Sequence, residues 1–347
     1  MYSAPNTKFV AREWVSVGLT LAAPVTDGAP FTGVDSSITK ATAYTCNGPR
    51  PCRYSTGHCA KYLPQQPSYE TQITYAKAPP AGENSFKYVY KIPDGQRDTN
   101  FEAEQFTMSV TDMRSVKPFT LTQNGFQFER LPSPAEVQWD EEEQIKSVYY
   151  PMMEKLLKNA TGASRVHIFD HTLRKGTIKE AKLNGGTVRK GAPVMGAHVD
   201  YTPKSGPSRL KDLLPEEAES LQQTPYAVIQ AWRPLRGPVQ DSPLAVCDAA
   251  TVDPADLVPL SLIFPERTGS VYNVSYNPRH RWYYAKGMKT DEVYVFVCYD
   301  SREDGRARFT PHTSFDDPTC PPDAPERESI EIRAMPSGRS MLMATNM

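Results

Sequence analysis

Three stretches of this 347-residue chain carry residue types and spacings suited to one chemistry: His198-Val199-Asp200, His312, and Arg327-Glu328-Ser329. If Val194–Tyr201 is extended, side chains alternate between faces, and His198 and Asp200 point the same way. One imidazole and one carboxylate then cover two adjacent positions on a metal. A second imidazole from another strand completes a 2-His-1-carboxylate set. Such a set leaves one side of a divalent ion such as Fe(II) open to O2 and an organic oxidant. On its own, His-x-Asp is a weak signal, and a surface His beside an Asp is the commoner explanation.

The third ligand comes from a short list. Of His58, His167, His171, His198, His280 and His312, only His280 and His312 lie downstream of the triplet. His280 is flanked by Arg279 and Arg281 and reads as a hydrogen-bonded structural histidine. His312 precedes the alternating stretch Arg327–Arg333, in which Arg327 and Ser329 share a face. A planar guanidinium with a hydroxyl beside it makes a clamp for a carboxylate. 2-Oxoglutarate presents that group, one end chelating iron and the far carboxylate held away from it. Arg333 and Arg308 are the next candidates for the clamp. Trp232 and Arg233 at a strand end, and His171 and Arg174 at another, are candidate substrate contacts. Tyr201 alternates to the side opposite Asp200 and reads as packing.

These residues must be positioned by strands. From residue 164 onward, short apolar runs recur between turn residues. They are Arg165–Thr172, Val194–Tyr201, Ala227–Trp232, Leu244–Cys247, Leu260–Phe264, Val271–Tyr276, Trp282–Ala285, Val293–Tyr299, Arg308–His312 and Ser329–Arg333. Many short strands at regular spacing predict a sandwich or barrel. A double-stranded β-helix, or jelly roll, encloses a pocket where a metal can sit. The expected fold is therefore mainly β with flanking helices on a cupin-like core. Phe86–Ile92, Gln105–Val110 and Phe119–Thr122 read as earlier strands, and Trp139–Asn159 as a helix that Pro151 kinks or splits. Lys211–Gln223 reads as a short inserted helix, and Asp316–Pro325 as a loop. The expected organisation is a loop-rich extension over 1–85, strands and a helix over 86–163, and the catalytic core over 164–347, forming one compact unit.

Composition narrows the function classes. The chain has 39 basic and 40 acidic side chains, a net charge of −1, and 32 prolines. No run of like charge is long enough for a nucleic-acid arm or a membrane patch. No apolar stretch is long enough to span a bilayer, and the start lacks the pattern of a signal peptide. The expected setting is the cytoplasm, with a small-molecule substrate and no nucleic-acid or membrane partner; a homodimer is compatible with such an enzyme. Cys46, Cys52 and Cys59, with His58, form a loop whose gaps are longer than usual zinc spacings, so a plain loop is the expectation there.

The chain resembles the fungal hydroxylase/desaturase family of non-haem Fe(II)/2-oxoglutarate-dependent oxygenases, the AsaB, gibberellin desaturase and CmcJ-like group. The resemblance is carried by Val166–Arg174, Ala197–Thr202, Trp232-Arg233-Pro234-Leu235, His280–Tyr284, Tyr299-Asp300-Ser301, Pro311–Phe315 and Arg327–Glu331, within roughly residues 86–335. It implies ligands at His198, Asp200 and His312. It also implies oxidation of a secondary metabolite (hydroxylation, desaturation or ring closure of an amino acid, peptide-derived or terpenoid substrate), with succinate and CO2 released. The rival readings are a cupin-like metal or small-molecule binding protein, and a partner subunit of another oxidase that does not use 2-oxoglutarate.

Overall fold

A computed structural model describes residues 68–347 apart from 78, 81, 90–91, 117, 176–190, 339–340 and 342–347. The cysteine loop at 46–59 lies outside the described residues. The early strands are β1 (Ser68–Ala76), β2 (Ser85–Tyr88), β3 (Ala103–Asp112), β4 (Phe126–Arg130), β5 (Arg165–Lys175) and β6 (His198–Val199). They are followed by β7 (Ala227–Pro234), β8 (Leu244–Cys247), β9 (Leu257–Ile263) and β10 (Thr268–Val274). The last are β11 (Trp282–Tyr284), β12 (Glu292–Asp300), β13 (His312–Ser314) and β14 (Glu328–Ser337). A nine-stranded sheet has the order β1-β3-β11-β8-β13-β6-β10-β9-β2, and a five-stranded sheet the order β4-β12-β7-β14-β5. This is the expected mainly β, double-sheet jelly roll.

Alternation along the central strands explains both faces of the smaller sheet. Ala227, Ile229 and Ala231 of β7, with Val293, Val295 and Val297 of β12, join one apolar core. Val228 and Trp232, with Tyr294, Phe296 and Cys298, point to the other face and meet Leu244 and Val246 of the larger sheet. Strands buried on both sides read as continuous apolar runs, as these do. A helix covers the first face. Its segments α1 (Glu142–Gln144) and α2 (Tyr150–Thr161) flank a π turn at Ile145–Tyr149. Pro151 sits in the first turn of α2, directly after the π turn. The helix is not split at Pro151: the backbone at Gln144, Ile145, Tyr149 and Tyr150 is helical, and the irregularity is the π turn that ends two residues before the proline. Met153, Leu156 and Leu157 bury its inner face. Among the described residues no helix is long and apolar enough to cross a membrane.

Several boundaries differ from the sequence reading. Phe119–Thr122 forms no strand: the Asn124 N–H donates to the Thr120 carbonyl and the Thr120 N–H to the Asn124 side chain, closing a turn. Lys211–Gln223 is not one helix. α3 (Ser205–Leu213) ends before Pro215, and α4 (Ala218–Leu221) begins after it, because proline disfavours helix in the residue before it. The run Val194–Tyr201 contributes only His198–Val199 as strand. His312 opens its strand rather than closing one, since Pro311 offers no N–H to a ladder.

The turn before β4 also holds the approach to His312. Gly125 has φ +85°, and its carbonyl accepts from Thr310 Oγ1 at 2.8 Å and from the Val297 N–H at 2.8 Å. A Cβ here would collide with Thr310 Oγ1. Gly125→Ala will therefore lower stability by about 2 kcal/mol, the scale of a left-handed non-glycine residue plus a lost buried hydrogen bond. A urea melt reads this as a lower midpoint at unchanged slope.

Candidate active site

His198 and His312 face each other across the ladder of the larger sheet. They are register partners on β6 and β13, with ring centroids 4.4 Å apart. Both point into the space between the sheets, as their neighbour Val246 does. Asp200 follows β6 by one residue, and its Oδ1 lies 3.4 Å from His198 Nε2. The donor atoms of His198, Asp200 and His312 all lie within 4.8 Å of one another. Ligand atoms ~2.1 Å from one ion at right angles lie ~3 Å apart, so the cluster is of coordination size.

Hydrogen bonds orient the two rings. His198 Nδ1 donates to the Gly196 carbonyl at 2.8 Å, and His312 Nδ1 donates to the Thr310 carbonyl at 3.0 Å. With Nδ1 as donor in each ring, Nε2 keeps its lone pair, which is the usual arrangement for a ligating histidine. Burial, reinforced by neighbouring His198, pushes His312 down to about 4, so its ring is neutral at physiological pH. Burial alone would raise the Asp200 carboxyl, but the His198 ring beside it, with the Arg333 guanidinium, holds it well below the usual range. Two imidazoles with Nδ1 engaged by backbone carbonyls, and one carboxylate, suit a divalent ion such as Fe(II). Cys298 is buried close by, and burial with the charge of Asp200 pushes its thiol far up.

A narrow cleft lies beside this cluster. Its walls include Trp232, Phe296, Val194 and Leu244 on the apolar side and Arg174, Ser314, Arg327 and Glu331 on the polar side. The Phe296 ring packs 4.7 Å from the ring of His312. Arg327 is 3 % exposed. Its Nη1 donates to the Ser242 carbonyl and to Ser314 Oγ, each at 2.8 Å, and its guanidinium lies 5.5 Å from the Trp232 ring centroid. Among the described residues no carboxylate is within ion-pair distance of it. Its Nε and the wholly buried Ser329 Oγ have no hydrogen-bond partner among them either. Burial and nearby Arg174 pull the Arg327 pKa downward, yet a guanidinium keeps its proton at any physiological pH. A buried cation with an uncommitted N–H fits a carboxylate; Ser329, two residues further on, is not among the residues that line the cleft.

The other expected contacts divide between the two faces of the smaller sheet. Trp232 and Arg174 line the cleft, and Arg174 donates to Glu331 at 3.4 Å and to the Ala192 carbonyl at 3.1 Å. Arg233 and His171 alternate to the opposite face. Arg233 donates to the carbonyls of Leu131 and Thr290 and lies over the Tyr149 ring. His171 Nδ1 is 2.8 Å from Tyr150 Oη. The structure brings neither to the His–Asp–His cluster. Tyr201 is buried in the core between the sheets. His280 bonds Asp256 at 3.0 Å and stacks on Tyr75, as a structural histidine should. Gln230 and Glu331, which the motifs did not single out, come from the facing sheet, as does Arg333, a second-choice clamp in the sequence whose guanidinium is instead committed to Asp170, Thr172 and Glu331. Their signal is polar residues inside apolar strands.

The comparisons agree with this geometry. Residues 73–336 match the family described as an oxidoreductase/YMDC permease-like domain. The hydroxylase/desaturase efuI of Hormonema carpetanum is 33% identical over 291 residues, 76% of this chain and 97% of that protein. The Fe(II)/2-oxoglutarate-dependent dioxygenase nvfI of Aspergillus novofumigatus is 31% identical over 277 residues, 78% of this chain and 96% of that one. A solved structure of the iron and alpha-ketoglutarate-dependent endoperoxidase NvfI superposes with a TM-score of 0.70 at 29% identity, covering 78% of this chain and 98% of that one. The chain belongs to the fungal hydroxylase/desaturase family of Fe(II)- and 2-oxoglutarate-dependent dioxygenases, whose chemistry runs on Fe(II), 2-oxoglutarate and O2.

Proposed function

We propose that His198, Asp200 and His312 hold the iron, and that Arg327 with Ser329 holds the far carboxylate of 2-oxoglutarate. On this reading the enzyme hydroxylates, desaturates or oxidatively cyclises a small organic secondary metabolite. The observation that carries it is the pairing of the two features in one cleft: three converging donors, and a buried arginine with no carboxylate of its own. Iron with 2-oxoglutarate supplies the oxidation of a C–H bond, O2 being consumed as the cosubstrate becomes succinate and CO2. The chain's residues do the rest. The carbonyls of Gly196 and Thr310 lock the imidazole tautomers. Trp232 covers the Arg327 guanidinium and keeps water from it, so the ion pair with the cosubstrate forms at low dielectric. Arg174 neutralises Glu331, so the wall of the cleft does not repel an incoming dianion. Val194, Leu244 and Phe296 offer apolar surface to an organic substrate.

The test is succinate formation by the iron-loaded protein with and without O2. Slow, oxygen-dependent succinate is expected without substrate. A faster rate is expected on adding an extract of the organism that makes the protein, with mass spectrometry identifying the metabolite that changes. No succinate under either condition, with iron in excess, would sink the reading.

A further inference from the structure

Asp200 uses its two oxygens differently. Oδ1 faces His198 Nε2 at 3.4 Å. Oδ2 accepts a hydrogen bond from the Gln230 amide and lies 3.7 Å from Arg333 Nε. Gln230 on β7 and Arg333 on β14 are register partners, and both are buried. Arg333 is fixed in turn. Its Nη1 donates to Asp170 Oδ2 at 2.9 Å and to Thr172 Oγ1 at 3.0 Å, and its Nη2 donates to Glu331. The smaller sheet therefore grips the back of a carboxylate whose front faces the two histidines of the larger sheet.

We infer that Gln230 and Arg333 are positioning residues that occupy Asp200 Oδ2, so that Asp200 gives the metal Oδ1 alone. The inference rests on the reading that His198, Asp200 and His312 are the ligands. A free carboxylate can bind an ion through both oxygens. Doing so here would take a coordination position that the cosubstrate or O2 needs. A neutral amide suits the task because it donates without adding a second anion beside Asp200. Gln230 Oε1 has no partner among the described residues, so the hydrogen bond to Asp200 is the interaction that uses the buried amide. Arg333 adds charge attraction from a guanidinium that three other groups hold still.

Mn(II) alone is the probe, because it binds such donor sets and has a direct spectroscopic signal. Wild type, Asp200→Ala, Gln230→Met and Arg333→Lys are titrated, free Mn(II) is measured by electron paramagnetic resonance, and the metal-free thermal midpoint is recorded beside it. Asp200→Ala should lose binding. Gln230→Met should weaken binding by about 10-fold, the usual scale for losing a group that orients a ligand, and should change the splitting of the bound Mn(II) spectrum as Oδ2 is released. Arg333→Lys should weaken it in the same direction. It also carries the test if Gln230→Met does not fold. A merely structural role would lower the metal-free midpoint and leave Mn(II) affinity and spectrum as in wild type. Affinities of both variants within twofold of wild type, with Asp200→Ala unable to bind, overturn the inference while sparing the ligand set. Wild-type binding by Asp200→Ala overturns the ligand set and this inference with it.

Discussion

Arg327→Lys will raise the 2-oxoglutarate concentration needed for half-maximal turnover by roughly 30- to 150-fold, while iron binding stays as in wild type. The range corresponds to about 2–3 kcal/mol, the scale of a charge-assisted hydrogen bond lost at a buried site. Lysine keeps the positive charge but loses the fork that lets Nη1 hold Ser242 and Ser314 while the other N–H groups serve a ligand. It also loses the flat group that lies over Trp232. The split between cosubstrate and metal is the informative part. A structural defect would depress both, whereas loss of a carboxylate clamp moves only the cosubstrate term. Unchanged 2-oxoglutarate dependence would move the clamp to another arginine, with Arg174 already on the cleft wall.

His312→Gln will lower oxygen-dependent succinate formation by more than ~100-fold, beyond what losing an orienting partner costs. The ring is already neutral, because burial holds its pKa to about 4. Wild type therefore needs no proton removed from His312 near pH 7, and raising the pH will not restore the variant. Glutamine keeps a polar group of similar length but offers an amide in place of an imidazole lone pair. Phe296 and His198 pack on the ring, so the loss of turnover is to be read beside a thermal melt. Iron retained after gel filtration should fall in parallel with the rate. Full turnover with iron retained would remove His312 from the ligand set.

How much of this was legible in the sequence depends on the range of the interactions. His198 and Asp200 are readable as a pair because the strand period is local. His312 follows by elimination among six histidines, and Arg327 and Ser329 by alternation. The fold class is readable because apolar runs such as Val293–Tyr299 are long enough to mark strands buried on both sides. Gln230 is not readable in this way, and Arg333 is readable only as a second-choice clamp. Their place beside Asp200 arises from the pairing of β7 with β14 and from the packing of one sheet on the other. The sidedness of Arg233 and His171 is hidden for a related reason: alternation says that Trp232 and Arg233 differ in face, but not which face meets the cleft. Phe119–Thr122 looks like a strand by composition, and the turn made by Asn124 overrides it.

The most direct test of the ligand assignment is anaerobic visible absorption during titration with Fe(II) and 2-oxoglutarate, in buffer free of chloride and formate. Wild type should develop the weak band of a keto acid chelated to iron only when both are present, and it should saturate at one equivalent of each. Asp200→Ala should show no band at the same concentrations, because the only protein anion in the donor set is gone and no small anion replaces it. No band from wild type with iron in excess, or an undiminished band from Asp200→Ala, would contradict the assignment.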